Sequence, residues 1–349
     1  MNHPMKILLA GTVSLLALGG AAHAAEPESC ATVRFSDVGW TDITATTATA
    51  AVLLEALGYD ADIKVLSVPV TYSSLKNKDI DIYLGNWMPT QEADVRPYID
   101  DKSVESFGPN LTGAKYTLAT NAKGAELGIK DFKDIATHKD ALGGKIYGIE
   151  PGNDGNRLIL DMVENGKFDL KGFEVVESSE QGMLAQVARA EKAGEPVVFL
   201  GWEPHPMNAN IEMEYLSGGD DVFGPDFGGA TVHTNVRKGL VAECQNLGKF
   251  LTNLVFSLEM ENEIMGAILD EGRDANEAAA DWLRANPDAL GPWLDGVTTF
   301  DGGDGAAQAR AHAGLREHGK SAAGMARGAP RNKPAEPSAV APGRRWRAG

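Results

Sequence analysis

Ile80-Asp81-Ile82-Tyr83-Leu84-Gly85-Asn86-Trp87-Met88-Pro89 is the stretch on which the fold class turns. Ile80–Leu84 is a short β-rich apolar run, and the Gly, Asn and Pro that follow are turn formers, so the pattern predicts a strand that empties into a loop carrying Trp87. The same arrangement recurs along the chain. Ala31–Ser36 reads as a strand leading to Trp40 and Asp42, and Lys145–Ile149 as one leading to Pro151-Gly152-Asn153-Asp154-Gly155-Asn156. Val197–Leu200 leads to Gly201-Trp202-Glu203-Pro204. Helical patterns lie between: Thr44–Leu57, opened by Thr41 or Asp42 and closed by Gly58, then Val70–Asn77, Asn156–Asn165 and Gln181–Ala193. Ile63–Val68, Tyr116–Thr120, Phe173–Glu177, Met213–Leu216 and Ala230–Thr234 read as further strands, and Cys244–Leu283 as helical. Strands alternating with helices specify an α/β fold, in which ligands bind outside the carboxyl ends of the strands.

Charge narrows the range of partners. The chain carries a net −17, yet beyond Phe300 nine Lys/Arg stand against four Asp/Glu and residues 1–24 carry only Lys6, which leaves −23 over Ala25–Phe300. So acidic a body argues against nucleic acid and anionic membranes as partners and suits attraction of small cations, although a solvated acidic surface accounts for most of it. Lys6, the apolar run Ile7–Leu18 and Ala22-His23-Ala24 have the form of a secretory signal cut after Ala24. The apolar run is too short and too rich in Ala and Gly for a membrane span, and no cysteine follows it closely enough for a lipid anchor. No membrane insertion is expected. The only cysteines, Cys30 and Cys244, lie in the exported portion, where an even pair suggests one disulfide, with two buried thiols as the alternative. Residues 301–349, rich in Ala, Gly, Arg and Pro, read as a disordered basic tail, with Trp346 in its Arg-rich end.

Three of six tryptophans, Trp40, Trp87 and Trp202, fall at equivalent strand-end positions. Each alone would be read as covering a core edge, as Trp282 and Trp293 are. Together they suggest a cage. A quaternary ammonium has no N–H to share, but ring faces attract it, each desolvated ring contributing on the order of 1–2 kcal/mol. Asp42 suits charge attraction and acceptance of a hydrogen bond, and equally suits the N-cap of the helix it precedes. The Gly152–Asn156 run reads as a strand-to-helix turn, since the phosphate-loop pattern is missing from the chain.

With these residues in view, the chain resembles the periplasmic choline- and betaine-binding proteins that feed ABC importers, and within them the choline-specific branch. The resemblance rests on Asp37-Val38-Gly39-Trp40-Thr41-Asp42, Gly85-Asn86-Trp87-Met88-Pro89, Ala114-Lys115-Tyr116, Pro151-Gly152-Asn153 and Gly201-Trp202-Glu203-Pro204-His205-Pro206, scattered yet in order from about Cys30 to Phe300. It implies a two-lobed periplasmic binding protein fold of type II with the ligand in the cleft. Lobe one would comprise residues 25–114 and 230–300, lobe two residues 115–229, with crossings near Gly113–Tyr116 and Phe227–Thr231. The family's cage falls on Trp40, Trp87, Trp202 and Tyr116, its hydroxyl-binding acid and amide on Asp42 and Asn153, and its disulfide on Cys30 and Cys244. Tyr116 by itself reads as strand-edge packing. The basic tail departs from the family pattern. The implied partners are choline, acetylcholine or a related quaternary ammonium compound and an ABC permease, for a monomer with no cofactor or metal.

Three other readings remain. A glycine betaine or proline betaine receptor shares the cationic head, but a betaine carboxylate would meet repulsion from Asp42. A secreted enzyme would need a nucleophile elbow or zinc motif, neither of which occurs, although His205 and Glu203 could pair for acid–base work. A metal receptor is disfavoured because the seven His and two Cys lack ligand spacing.

Overall fold

The computed structural model describes residues 25–312, so the expected signal segment and the tail beyond His312, Trp346 included, lie outside the described residues. In chain order the first elements are β1 (Thr32–Asp37), α1 (Thr41–Ala56), β2 (Asp60–Val65), α2 (Val68–Asn77), β3 (Ile82–Met88), α3 (Glu92–Asp100) and β4 (Val104–Asn121). There follow α4 (Ala122–Glu126), α5 (Phe132–Thr137), β5 (Lys145–Tyr147), α6 (Asp154–Asn165), β6 (Glu174–Val176), α7 (Glu180–Ala193), β7 (Val198–Glu203), β8 (Met213–Tyr215) and β9 (Gly229–Arg237). The α/β class expected from the alternation is the one observed.

All nine strands belong to one sheet of order β2-β1-β3-β9-β4-β7-β5-β6, with β8 added to β4. Two parallel groups, β2-β1-β3 and β7-β5-β6, flank the antiparallel pair β9-β4. β4 is the shared strand: Val104–Lys115 pairs with β9 and Lys115–Thr120 with β7. The segments in which crossings are expected, Gly113–Tyr116 and Phe227–Thr231, pair with each other there, Ala114 opposite Ala230 and Lys115 opposite Gly229. Only the last third of β4, Tyr116–Thr120, shows a strand pattern in the sequence. Gly108, Pro109 and Gly113 hide the rest, because the strand admits them through register shifts rather than through a regular ladder.

α1 is buried nearly all round, which its Ala- and Thr-rich sequence permits: small side chains let neighbours approach, and Thr46 and Thr49 hydroxyls return hydrogen bonds to the carbonyls of Asp42 (3.1 Å) and Ala45 (2.8 Å). It packs on the C-terminal helices Leu258–Leu269 and Ala275–Ala285. Gly58, at φ +91°, takes the left-handed conformation that ends the helix. The N-cap role open to Asp42 is not observed: Trp40 holds the N-cap position and Asp42 is the second residue of the helix, in its first turn.

The expected disorder after Phe300 also needs correction within the described residues. Gly305–His312 is helical and buries Ala309 against α1. Its apolar content is too small to show periodicity, and alanine contact with α1 supplies the order instead.

Cys30 and Cys244 form a disulfide with Cα atoms 5.8 Å apart, closing 214 residues of separation. Glu26 reinforces this junction by accepting from the Asn246 amide at 2.6 Å and from the Tyr59 hydroxyl at 3.1 Å. Trp282 and Trp293 stack on each other at 6.3 Å as packing residues. Among the described residues no helix is long and apolar enough to cross a membrane.

Candidate functional site

Trp40, Asp42, Trp87, Tyr116, Ile149 and Trp202 line one hollow in which the two parallel groups of strands face each other. Four of the expected aromatic residues therefore converge although up to 162 positions separate them in sequence. Trp87 and Trp202 sit inside the ends of β3 and β7 rather than beyond them, as the sequence reading had placed them. The strands run on because Gly85 and Gly201 remain extended, and Gly85 is required where it is, since a Cβ there would collide with Ile43 and Tyr83.

Hydrogen bonds fix the rings. The Trp40 indole N–H donates to Glu150 Oε1 at 2.8 Å, and that of Trp87 to Asp42 Oδ2 at 3.0 Å. The Tyr116 hydroxyl donates to Asn153 Oδ1 at 2.9 Å. With their polar ends tied down, the indoles and the phenol have their faces left for contact. Tyr116 stands edge-on to Trp202 at 6.3 Å and is tilted against Trp87 at 5.9 Å, so the rings form adjoining walls and not a stack.

Asn153 is buried but is not among the lining residues. It is the N-cap of α6, accepting from the Asn156 amide at 3.0 Å, and its oxygen also takes the Tyr116 hydroxyl. The turn reading of Gly152–Asn156 is thus the observed one. Gly155 lets the phenol in: a Cβ there would overlap the Tyr116 hydroxyl oxygen.

One carboxyl, that of Asp42, lines the hollow. Asp42 is buried, and its Oδ1 has no hydrogen-bond partner among the described residues. Burial pushes its carboxyl up to about 8, the charge of Glu180 adds to the rise, and the Trp87 N–H pulls the other way. Burial likewise raises Asp154 to about 7 and holds Glu261 well above the carboxylate range, the latter helped by the charge of Asp42. Glu150 is raised for the same reason. A hollow walled by rings and lined by one carboxyl suits a cation.

Glu150, Glu180, Glu261 and Ile149 escaped the sequence reading. Each is a partner brought in by a distant element, and nothing in its own neighbourhood marks it. His205 does not pair with Glu203. Its ring meets Glu180 at 3.2 Å, whereas Glu203 is engaged by Lys115 at 3.2 Å.

Residues 31–285 match the OpuAC family, the substrate-binding domain of the ABC-type glycine betaine transport system. This chain belongs to that family. Three solved structures place it more finely. An ABC-transporter choline-binding protein in complex with choline is 76% identical, with 82% of this chain and 100% of that one covered and a TM-score of 0.82. An ABC-transporter choline-binding protein in an unliganded semi-closed conformation is also 76% identical at the same coverage, with a TM-score of 0.77. Lactococcal OpuAC in its closed-liganded conformation with glycine betaine is 25% identical over 75% of this chain and 98% of that one, with a TM-score of 0.68. The expected fold of a periplasmic substrate-binding protein is therefore confirmed, and the family is one of transport.

Proposed function

We propose that this chain is a periplasmic receptor that captures choline in its aromatic box and delivers it to the permease of an ABC importer. One observation carries the reading: four rings and an unpaired oxygen of Asp42 share one buried hollow. Trp40, Trp87, Tyr116 and Trp202 would hold the trimethylammonium head, and Asp42 would attract the charge and accept the hydroxyl. Asn153 would act at the same end, through the phenol it holds. Four rings supply roughly 4–8 kcal/mol, and a micromolar ligand needs about 8 kcal/mol net, so the Asp42 contact has to contribute.

A betaine is the second reading, favoured by the family's description. Against it, the lining residues include no Arg, Lys or His, and a betaine carboxylate would lie beside Asp42. Residues 25–114 with 230–300 would form one lobe and 115–229 the other, closing around the ligand because only the closed form surrounds it. The role is capture without chemistry, by an exported monomer with no cofactor. Calorimetric titration with choline and with glycine betaine tests the assignment: choline heat is expected, and tight betaine binding without choline heat overturns it.

A further inference from the structure

Thr41 opens α1, and the residue at the N-cap before it is Trp40, whose side chain caps nothing. A helix start normally finds an acceptor in its own N-cap side chain. Here the acceptor comes from the other parallel group of strands. The Thr41 N–H donates to Glu180 Oε2 at 2.8 Å and the Thr41 hydroxyl to Oε1 at 2.5 Å. Glu180 is the first residue of α7, 139 positions away.

His205 completes the arrangement. Its Nδ1 accepts the Met207 N–H at 2.9 Å, so its proton lies on Nε2 and is donated to Glu180 Oε1 at 3.2 Å. The His205 ring stands edge-on to Trp202, centroids 4.8 Å apart. Thr41, Glu180 and His205 are all buried, and none of the three lines the hollow. A chain of contacts thus runs from the cage wall Trp202 through His205 and Glu180 to the helix start that carries Trp40 and Asp42.

We infer that Glu180 is a positioning residue for ligand capture, a latch that holds the two lobes shut, with His205 coupling it to Trp202. The inference rests on the receptor reading above. In an open form the α1 start and the Glu180 carboxylate would each face water. Closure exchanges those water contacts for charge-assisted bonds to a helix N-terminus in a water-poor setting, where they are stronger. The bonds exist only in the closed form, so they favour it independently of what is bound, and they slow release. Other links join the same halves: Trp40 to Glu150, Arg157 to Asp94 at 2.6 Å and to the Thr90 carbonyl at 3.2 Å, and Asn210 to Asp270 at 3.1 Å. The Arg157–Asp94 pair is partly exposed and correspondingly weaker.

Stopped-flow tryptophan fluorescence with choline chloride tests the latch on the wild-type protein, Glu180→Gln and Thr41→Val. Glu180→Gln is expected to raise koff about tenfold with kon unchanged or higher, while the unliganded Tm stays put. Thr41→Val approaches the same contact from the other side, and the double variant should lose less than the sum of the single losses. A koff within about twofold of wild type in both single variants overturns the latch, as does a loss that lies in kon and tracks a lowered unliganded Tm. The series is repeated with glycine betaine. A wild type that binds betaine and not choline overturns the choline assignment, while its Glu180 variants still decide the latch; binding of neither overturns both.

Discussion

The indole N–H of Trp87 and the carboxyl of Asp42 are joined at 3.0 Å, so one oxygen of the acid orients a ring that lines the hollow while the other, Oδ1, has no hydrogen-bond partner among the described residues. Asp42→Asn keeps an acceptor for the indole and removes the charge. Choline affinity should fall by at least about tenfold, since a hydrogen bond to a charged group contributes about 1.5–3 kcal/mol. Unliganded stability at neutral pH should hold, because burial already keeps the Asp42 carboxyl largely protonated there. Calorimetry and thermal melts read both, and a loss of fold with intact residual binding would make Asp42 a structural residue.

The same carboxyl sets a pH dependence. Its folded value is raised to about 8 from an ordinary 3.8, so its contribution to stability is fully present below pH 4 and is lost as pH rises through 8. Asp154, raised to about 7, acts in the same direction. The unliganded Tm should therefore decline between these limits. A cation beside Asp42 favours its ionised form, so choline should expel a proton below pH 8 and bind more tightly as pH rises toward it, by up to about tenfold per unit. Titrations at pH 6.5 in buffers of different ionisation enthalpy count the proton; identical heats would exclude the linkage.

Trp87→Ala and Trp202→Ala should each weaken choline by at least about 1 kcal/mol, roughly fivefold in Kd. Unchanged affinity in both would remove these rings from the site.

Gly155→Ala places a methyl group where the Tyr116 hydroxyl lies. The phenol is rigid and cannot swing aside while keeping its bond to Asn153, so choline affinity should drop although residue 155 does not line the hollow. Tyr116→Phe in the same background should recover part of the loss by removing the clashing oxygen; no recovery would mean that the glycine serves the backbone of α6 alone.

Removing the disulfide as Cys30→Ser with Cys244→Ser should lower stability by about 2–5 kcal/mol, since the bond closes 214 residues of chain. Choline affinity should change little, because neither cysteine lines the hollow. Melts and calorimetry on the double variant report the two effects separately.

Periodicity and turn chemistry act over a few residues, and they were enough to place β1, α1, α2, α6 and α7 to within a few positions. The tryptophans stood out because three of a rare residue type shared one local setting. Tyr116 and Asn153 entered only through likeness to a family, since a tyrosine in a strand and an asparagine in a turn are locally ordinary. β4 was mostly missed, because its Gly and Pro are tolerated only through pairing with β9, which no local pattern encodes.

Amino-acid order alone thus settled the α/β class, the acidic body, the cysteine pair and the residues able to form a cage. Only the packed chain decided what each would touch: that Trp40 and not Asp42 caps α1, that Asp42 holds Trp87, that Glu180, bonded also to His205, meets Thr41, and that Gly305–His312 is helical. The reason is range. A helix start or a strand is favoured by its immediate neighbours, whereas a bond across 139 positions exists only when the whole sheet has fixed both ends, and its strength depends on the water that the surrounding structure shuts out.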